Sequence, residues 1–559
     1  MESSFVKGLT QLDLFHVIIK SNFYRDSLQL MKISDKVRRT SPGVTEASVL
    51  MATSTNKGIL IRLGFPPSLV EEAKEGDIII AVRAQDQNSL DMAIQKANDM
   101  LESPEKSLSG DEGKSKLNGL DAALGAMPDA NLVLLSIPGE FVKDISLKLI
   151  EKRIHQQIFS DHVPIEDELV MKEQAVKNGV LILGPGSGTS IINGKGIGFS
   201  NAIKEGPVGI VAAAGTGLQE VITLLDHCGI GVKHGLGVGG ADPKEKIGGL
   251  MMLECIKLLE KDPEIEVVGI VSKPPYPAVQ EKILGYISQN AKKKYVLAFI
   301  GGEQSRGDRM DDRITQVSSL ASAVLAVAKH LGVEQFTRAR AETYISQEDL
   351  TKRLENEWVK LRDNQKYVRA LYTGGTFTYE AQVILGGILP GPIFSNAPIL
   401  GIKEMVSSLT SEANSIVDLG EEEFTEGRPH PMIDPTIRKL RILEEAKDPE
   451  VGVLLMDFVL GYGSHPDPVG AAIREIKEAK EIAARERRYL SVISHVCGAA
   501  GDPQGYEGSI SKLQSVGSIV LPTNAVAAVG AAMVALRGKV DLEKIYSRYL
   551  TVGGKSRNE

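Results

Sequence analysis

Short apolar runs recur along this chain, and stretches with apolar residues three or four apart lie between most of them. That alternation of a two-residue and a 3.6-residue period predicts strands followed by helices, and so an α/β protein with parallel sheets. Residues 12–102 read as a small α/β sandwich of βαββαβ type. Strands are predicted over Phe15–Lys20, Ala47–Ala52 and Asp77–Ala84, and helices over Asp26–Arg39 and Ser89–Leu101. The polar stretch 103–117 reads as a mobile linker. Residues 118–205 resume the alternation in a changed register: strand Leu132–Ile137, helix Phe141–Lys152, helix Asp167–Asn178, strand Val180–Leu183. Residues 206–332 and 366–545 each read as strands alternating with helices of about 10–15 residues, which implies parallel sheets. The charged stretch 333–365 reads as a helical linker between them, and the tail from Thr551 is expected to be disordered.

The two larger domains share a pattern. Gly209-Ile-Val-Ala-Ala-Ala-Gly215-Thr216-Gly217-Leu-Gln-Glu220 is answered by Val368-Arg-Ala-Leu-Tyr-Thr-Gly374-Gly375-Thr376-Phe-Thr-Tyr379-Glu380. Each is an apolar strand, a Gly-Thr turn and a helix. Downstream, Asp242-Pro243 is matched by Asp434-Pro435, and Asp262-Pro263-Glu264 by Asp448-Pro449-Glu450. Lys294-Tyr295 is matched by Arg488-Tyr489. The offset grows from 160 to about 190 residues, which places an insertion near 388–430 of the second copy. A glycine turn at a helix start gathers backbone N–H groups and the positive end of the helix dipole. Gly215, Thr216, Gly217, Gly374, Gly375 and Thr376 are therefore candidate phosphate or carboxylate ligands. Gly184-Pro185-Gly186-Ser187-Gly188 follows a buried strand and can be read as a phosphate loop or as a plain tight turn. No G-x-G-x-x-G follows an early strand, which argues against a nicotinamide cofactor.

Composition narrows the picture. The net charge of −8, with 24% charged residues, gives no basic face for nucleic acid. Cys228, Cys255 and Cys497 have no CxxC spacing, which argues against a disulfide framework or structural zinc. The start of the chain has no apolar signal core, and no run reaches the length of a membrane span, so a cytoplasmic location is expected.

The glycine turn at 184–188, the repeated Gly-Ile-Val…Gly-Thr-x-x-x-Glu element, Val238-Gly239-Gly240-Ala-Asp242-Pro243 and the Asp-Pro-Glu segments together resemble the succinyl-CoA synthetase (NDP-forming acyl-CoA synthetase) superfamily. The chain as a whole is similar to the FdrA family, in which these modules are fused. The resemblance implies a Rossmann-like CoA-binding-type domain at 118–205, with Gly184, Gly186, Ser187 and Gly188 as its loop. It also implies two flavodoxin-like ligase domains whose helix starts converge on a phosphohistidine. Three departures bear on mechanism. The histidine motif aligns with Gly307-Asp308-Arg309-Met310-Asp311-Asp312-Arg313, which puts Asp312 at the histidine. In the second copy Tyr506 stands there. The acidic segment that orients that histidine is matched by Val271-Ser272-Lys273-Pro274-Pro275, and no ATP-grasp module is recognisable.

A scaffold with paired anion sites and no phosphorylatable histidine suits a substrate that already carries phosphate, or phosphate attacking an acyl group. The resemblance extends to a subunit of oxamate carbamoyltransferase, which converts oxalurate and phosphate to oxamate and carbamoyl phosphate. It implies partner subunits and a small carboxylate or acyl-phosphate ligand. The alternatives are an NDP-forming acyl-CoA synthetase that binds CoA, and a non-catalytic scaffold that binds acyl phosphate or CoA. Candidate acid–base residues cluster at predicted strand ends of the second copy: Asp457, His465, His495 and, on an earlier loop, His430. A capping histidine in a turn is the plain reading of each histidine. Cys497 and His227 read as packed side chains. Asp311 and Asp312 read as solvated acids rather than a Mg²⁺ site. Arg306, Arg309 and Arg313 are candidate grips for a carboxylate.

Overall fold

The structure is a computed structural model that describes residues 14–21, 23, 25–102, 117, 119–302 and 313–552. Arg306, Arg309, Asp311 and Asp312, most of the linker at 103–117 and the end of the tail lie outside the described residues. The chain forms two compact units, Met1–Lys116 with Gly420–Leu440, and Leu117–Leu419 with Arg441–Glu559.

In the first unit, Ile78–Ala84 is the central strand of a three-stranded antiparallel sheet, between Leu14–Lys20 and Val44–Met51. Ile78, Ile80 and Val82 pack with Leu30, Val37 and Ala93 of the two long helices. Ile79 and Ala81 face the opposite way, toward Leu60, Phe65 and Val70. Both faces of this strand are covered, which is why it reads as one apolar run. Two short helices, Ser54–Arg62 and Pro67–Val70, precede that strand and were not anticipated. The final strand of the expected βαββαβ pattern has no counterpart among the described residues. Part of the insertion in the second repeat belongs to this unit: Asn56 Nδ2 donates to the Gly427 carbonyl at 3.3 Å.

The second unit begins with three parallel strands, Leu132–Leu135, His155–Ile158 and Ile182–Leu183. The hairpin that follows, Thr189–Ile192 and Lys195–Gly198, joins the sheet of the first repeat by pairing with Val232–Gly237. The boundary expected at 205/206 is thus crossed by hydrogen bonds. Lys172, fully buried on the helix Ile165–Asn178, bonds Glu168 at 2.7 Å, Asp242 at 2.9 Å and the Val238 carbonyl at 3.0 Å. Asp242 also accepts the N–H groups of Met251 and Met252. The Gly-Gly-Ala-Asp-Pro segment therefore closes a helix start and a buried ion pair.

In the first repeat the parallel strands run Ile314–Val317, Lys294–Phe299, Val267–Ser272, Val208–Ala212, Val232–Gly237. In the second they run Ser518–Val520, Ser491–Cys497, Val451–Val459, Tyr367–Tyr372, Asn414–Asp418, extended by Ile393–Ser395 and Lys403–Glu404. Both cores follow the doubly wound order in which ligands sit beyond the carboxyl end of the first strand. Four helices join the repeats: α1 (Gly215–His227) and α2 (Leu320–Leu331) from the first, α3 (Gly375–Gly386) and α4 (Asn524–Ala535) from the second. Thr216 to Asp226 of α1 and all of α4 are buried. A helix buried on every side must be apolar or have its polar groups paired. α4 meets this with alanines, and α1 by the pairs described below.

Candidate functional site

Each first strand ends in its Gly-Thr turn, and neither N-cap residue, Ala214 of α1 nor Gly374 of α3, caps its helix with a side chain. The two turns meet. The Thr376 N–H donates to Thr216 Oγ1 at 3.3 Å. A Cβ on Gly217 would stand 2.8 Å from Thr376 Cγ2, and one on Gly374 would stand 2.8 Å from Thr216 Cγ2 and Oγ1. Gly217 and Gly374 are therefore glycines because the opposite threonine crosses there, a different reason from the open amide cradle expected of them. Gly215 and Gly375 remain exposed. A Cβ on Gly215 would meet only Thr189 Oγ1, at an ordinary contact distance of 3.9 Å, whereas Asp418 Oδ2 lies 3.0 Å from the place of a Gly375 Cβ. A carboxylate already faces the second helix start, so Gly215 is the more accessible of the two. Lys273, exposed after the strand Val267–Ser272, lies 5.0 Å above the ring of Tyr379 in the opening turns of α3. This brings an ammonium group from one repeat onto the first turns of the other.

Behind the turns lies a buried polar chain. Glu220 Oε2 is 2.7 Å from His495 Nε2, and Glu220 Oε1 accepts the Asn524 N–H at 3.3 Å. Glu380 Oε1 accepts the Leu320 N–H at 2.8 Å, and Glu380 Oε2 accepts from Asn524 Nδ2 at 2.8 Å. Each glutamate of the Gly-Thr-x-x-x-Glu element thus caps the final helix of the opposite repeat. Burial pushes the Glu380 carboxyl up to about 7. Burial opposes charge on His495 too, but the Glu220 carboxylate outweighs it and the imidazole stands above its usual value. Glu220, Glu380 and Asn524 were not singled out from the sequence. The repeated Thr-to-Glu spacing, 216 to 220 and 376 to 380, was the available signal.

The other candidates scatter. Asp457 is fully buried and accepts from the Thr373 N–H at 2.9 Å and the Thr373 hydroxyl at 3.0 Å, so it anchors the second turn. His465 lies in the turn before the helix Gly470–Arg485, where its Nδ1 accepts the Asp467 N–H at 3.0 Å. This is the plain capping arrangement. His430 falls in the segment that groups with the first unit, its Nδ1 accepting the Met432 N–H at 3.2 Å, and burial lowers it to about 4. Burial pushes the Cys497 thiol well up, which disfavours a thiolate. His227 Nε2 lies 2.8 Å from the Gly498 carbonyl, and its ring packs on Tyr506 at 4.4 Å between centroids. Arg313 precedes its strand and bonds the Ala291 carbonyl, at the end of the sheet away from the helix starts.

The glycine loop at 184–188 is a tight turn. The Gly186 N–H donates to the Ser160 carbonyl at 3.0 Å, and the Ser187 N–H to Ile158 at 3.1 Å. The Ser187 side chain is buried, with its Oγ 2.4 Å from the place of a Gly237 Cβ. Two amides expected to cradle phosphate are thus used within the protein, and of this loop only Gly186 is exposed.

Comparison with known proteins locates these features. Residues 371–534 match the CoA-ligase family model, and residues 13–117 match a model described as AllF, heavy metal-associated domain. The uncharacterized protein YahF of Escherichia coli (strain K12) is 36% identical over 510 residues, covering 90% of this chain and 95% of YahF. The ADP-forming succinate–CoA ligase subunit alpha of Methanothermobacter thermautotrophicus is 30% identical over 31% of this chain and 58% of its own length. The ADP-forming sulfoacetate-CoA ligase subunit SqwL of an Acholeplasma species is 25% identical over 32% of this chain and 61% of its own length. The matches to these ligases thus span less than two thirds of either ligase subunit. No helix among the described residues is long and apolar enough to cross a membrane, and no group of metal-ligating side chains occurs among them.

Proposed function

The chain belongs to the family of YahF, a CoA-ligase-related family with an AllF-type N-terminal domain, and from that premise we propose that it is the acyl-transfer subunit of a phosphorolytic enzyme. The reaction we assign is carbamoyl transfer: oxalurate and phosphate give oxamate and carbamoyl phosphate. A phosphate oxygen attacks the ureido carbonyl, the bond from that carbon to the oxamate nitrogen breaks, and the departing nitrogen takes a proton. The observation that carries this reading is the apposed pair of helix starts, with Gly215 and Gly375 exposed and the Lys273 ammonium over Tyr379 of α3. Such a place attracts a phosphate or a carboxylate, each helix end contributing roughly 0.3–2 kcal/mol. In the second copy, the position that the resemblance gives to a phosphohistidine holds Tyr506, which packs on His227. Phosphate therefore arrives as substrate rather than through a phosphoenzyme.

Partner subunits complete the enzyme. The test is to incubate the full chain, alone and with candidate partners, with oxalurate and inorganic phosphate. Carbamoyl phosphate is the expected product, and its absence under every combination sinks the reading. Lys273→Ala is expected to raise the KM for phosphate several-fold. A second reading, an ADP-forming CoA ligase with nucleotide chemistry supplied by a partner, is favoured by the match to succinate–CoA ligase. It requires acyl-CoA formation that depends on ATP, in the same assay supplied with CoA.

A further inference from the structure

The contact between His495 and Glu220 has a proton requirement that follows from geometry. His495 Nδ1 lies 3.3 Å from the Leu521 carbonyl, which can only accept, so Nδ1 carries a hydrogen. Glu220 Oε2 lies 2.7 Å from Nε2, and an ionised carboxylate can only accept as well. A bond that short between two acceptors needs a second proton on the line joining them. The pair therefore holds one proton more than a neutral imidazole and a neighbouring carboxylate would, at a place where both side chains are 1% exposed.

From this arrangement we infer that His495 and Glu220 form a proton-carrying clamp between the two repeats. They act as positioning residues for the apposed helix starts and do not touch substrate. The positioning half of this inference rests on the anion-site reading given above. The other groups facing the clamp do not supply the proton's place. Asp457, on the adjacent strand opposite His495, is committed to Thr373. α3 presents the Phe377 ring edge-on, 5.8 Å between centroids, and the Glu380 carboxyl. Cys497 on the same strand has its sulfur 3.8 Å from the Thr223 hydroxyl on α1. The balance among these groups holds the imidazole above its ordinary value, in agreement with the geometry. Loss of the proton leaves Glu220 and Glu380 as two buried carboxylates that share Asn524 as a hydrogen-bond donor. Their repulsion acts on α1 and α3, each about one and a half turns from its exposed glycine. The apposition of the two turns is thereby tied to the proton held by this pair and to the one held by buried Glu380.

The test uses the full chain with 15N-labelled histidine. Among the nine histidines, one is expected to keep imidazolium nitrogen shifts to pH 8, and that signal is expected to vanish in His495→Gln. A spectrum in which every ring is neutral by pH 7.5 overturns the clamp and needs no variant to fold. Calorimetric titration with sulfate, an anion that does not itself titrate here, tests the positioning role. In the wild type the affinity is expected to fall at least threefold between pH 6.5 and 9, and Glu220→Gln is expected to flatten that dependence. An unchanged pH profile in the variant overturns the positioning role. Failure of the wild type to bind sulfate at any pH removes the anion-site reading and the positioning role together, while the nitrogen spectrum still decides the clamp.

Discussion

The two repeats present the same fold with different chemistry at matching places. Val211 pairs with Ile270, and Ile270 with Leu297, in the first sheet. The corresponding path in the second runs from Leu371 to Met456 to Ser494. One residue further along, Val271 and Ala298 in the first repeat stand where Asp457 and His495 stand in the second. Glu220 therefore meets a histidine across the interface, whereas its counterpart Glu380 finds only the Leu320 N–H and the Asn524 amide. The same carboxylate in the same place in the repeat is ion-paired on one side and held by neutral donors on the other. The caps form a symmetric pair, and Asp457 and His495, present in one copy only, give them different partners.

The largest effect should come from breaking the charged side of this comparison. Glu220→Ala leaves an imidazolium buried without its partner, which costs about 3–5 kcal/mol. Glu380→Ala removes only hydrogen bonds to neutral groups and should cost less, about 1–3 kcal/mol. Urea unfolding of the two variants decides it, and equal losses would mean that the asymmetry has no energetic content. The two sides should also be visible in pH dependence. Glu380 is raised from 4.5 to about 7, so the folded state binds a proton that the unfolded state releases. Its contribution is intact below about pH 4.5 and declines by roughly 3 kcal/mol as pH rises to about 7. The His495 contribution is intact below 6.5 and is lost as pH rises through its higher folded value. Buried His430, lowered to about 4, contributes in the opposite sense below pH 6.5, so differences in thermal unfolding are the readout: the stability gap between wild type and Glu380→Gln should change between pH 5 and 7, and that between wild type and His495→Gln above pH 6.5. A profile unchanged in both variants would contradict this ordering.

A smaller effect should separate the glycines of the two turns. Gly217→Ala and Gly374→Ala each force a methyl group into the facing threonine and should cost about 1–3 kcal/mol. Gly215→Ala makes only an ordinary contact and should stay within about 0.5 kcal/mol of the wild type. If Gly215→Ala weakens sulfate binding while leaving unfolding unchanged, the first helix start is the ligand-facing one.

Much of the fold was legible in the chain. Strands buried on both faces, such as Val267–Ser272 and Val451–Val459, read as continuous apolar runs because helices cover each side. The Asp-Pro-Glu segments at 262 and 448 keep the same offset of 186 as Ile270 and Met456, so that part of the repeat was aligned correctly. The tyrosine match was not. The sheet register places Tyr295 with Val492, three residues beyond Tyr489, because the loop before that strand differs in length between the copies. Among the candidate residues, the glycine turns were legible as helix starts, but which glycine serves a close approach and which stays open depends on the opposing repeat. His495 stood out as a polar residue in an apolar strand, while its partner lies 275 residues away.

The amino-acid sequence by itself determined the alternation of strand and helix, the duplication, and the Gly-Thr turns that begin α1 and α3. These depend on spacings of two to four residues, which local backbone geometry and the burial of one face enforce. Only the tertiary structure decided that Thr216 would reach the Thr376 amide, that each glutamate would cap the other repeat, and that His495 would carry a shared proton. Those outcomes depend on where the two repeats bring groups distant in sequence within hydrogen-bonding reach, and no short-range pattern encodes such a meeting.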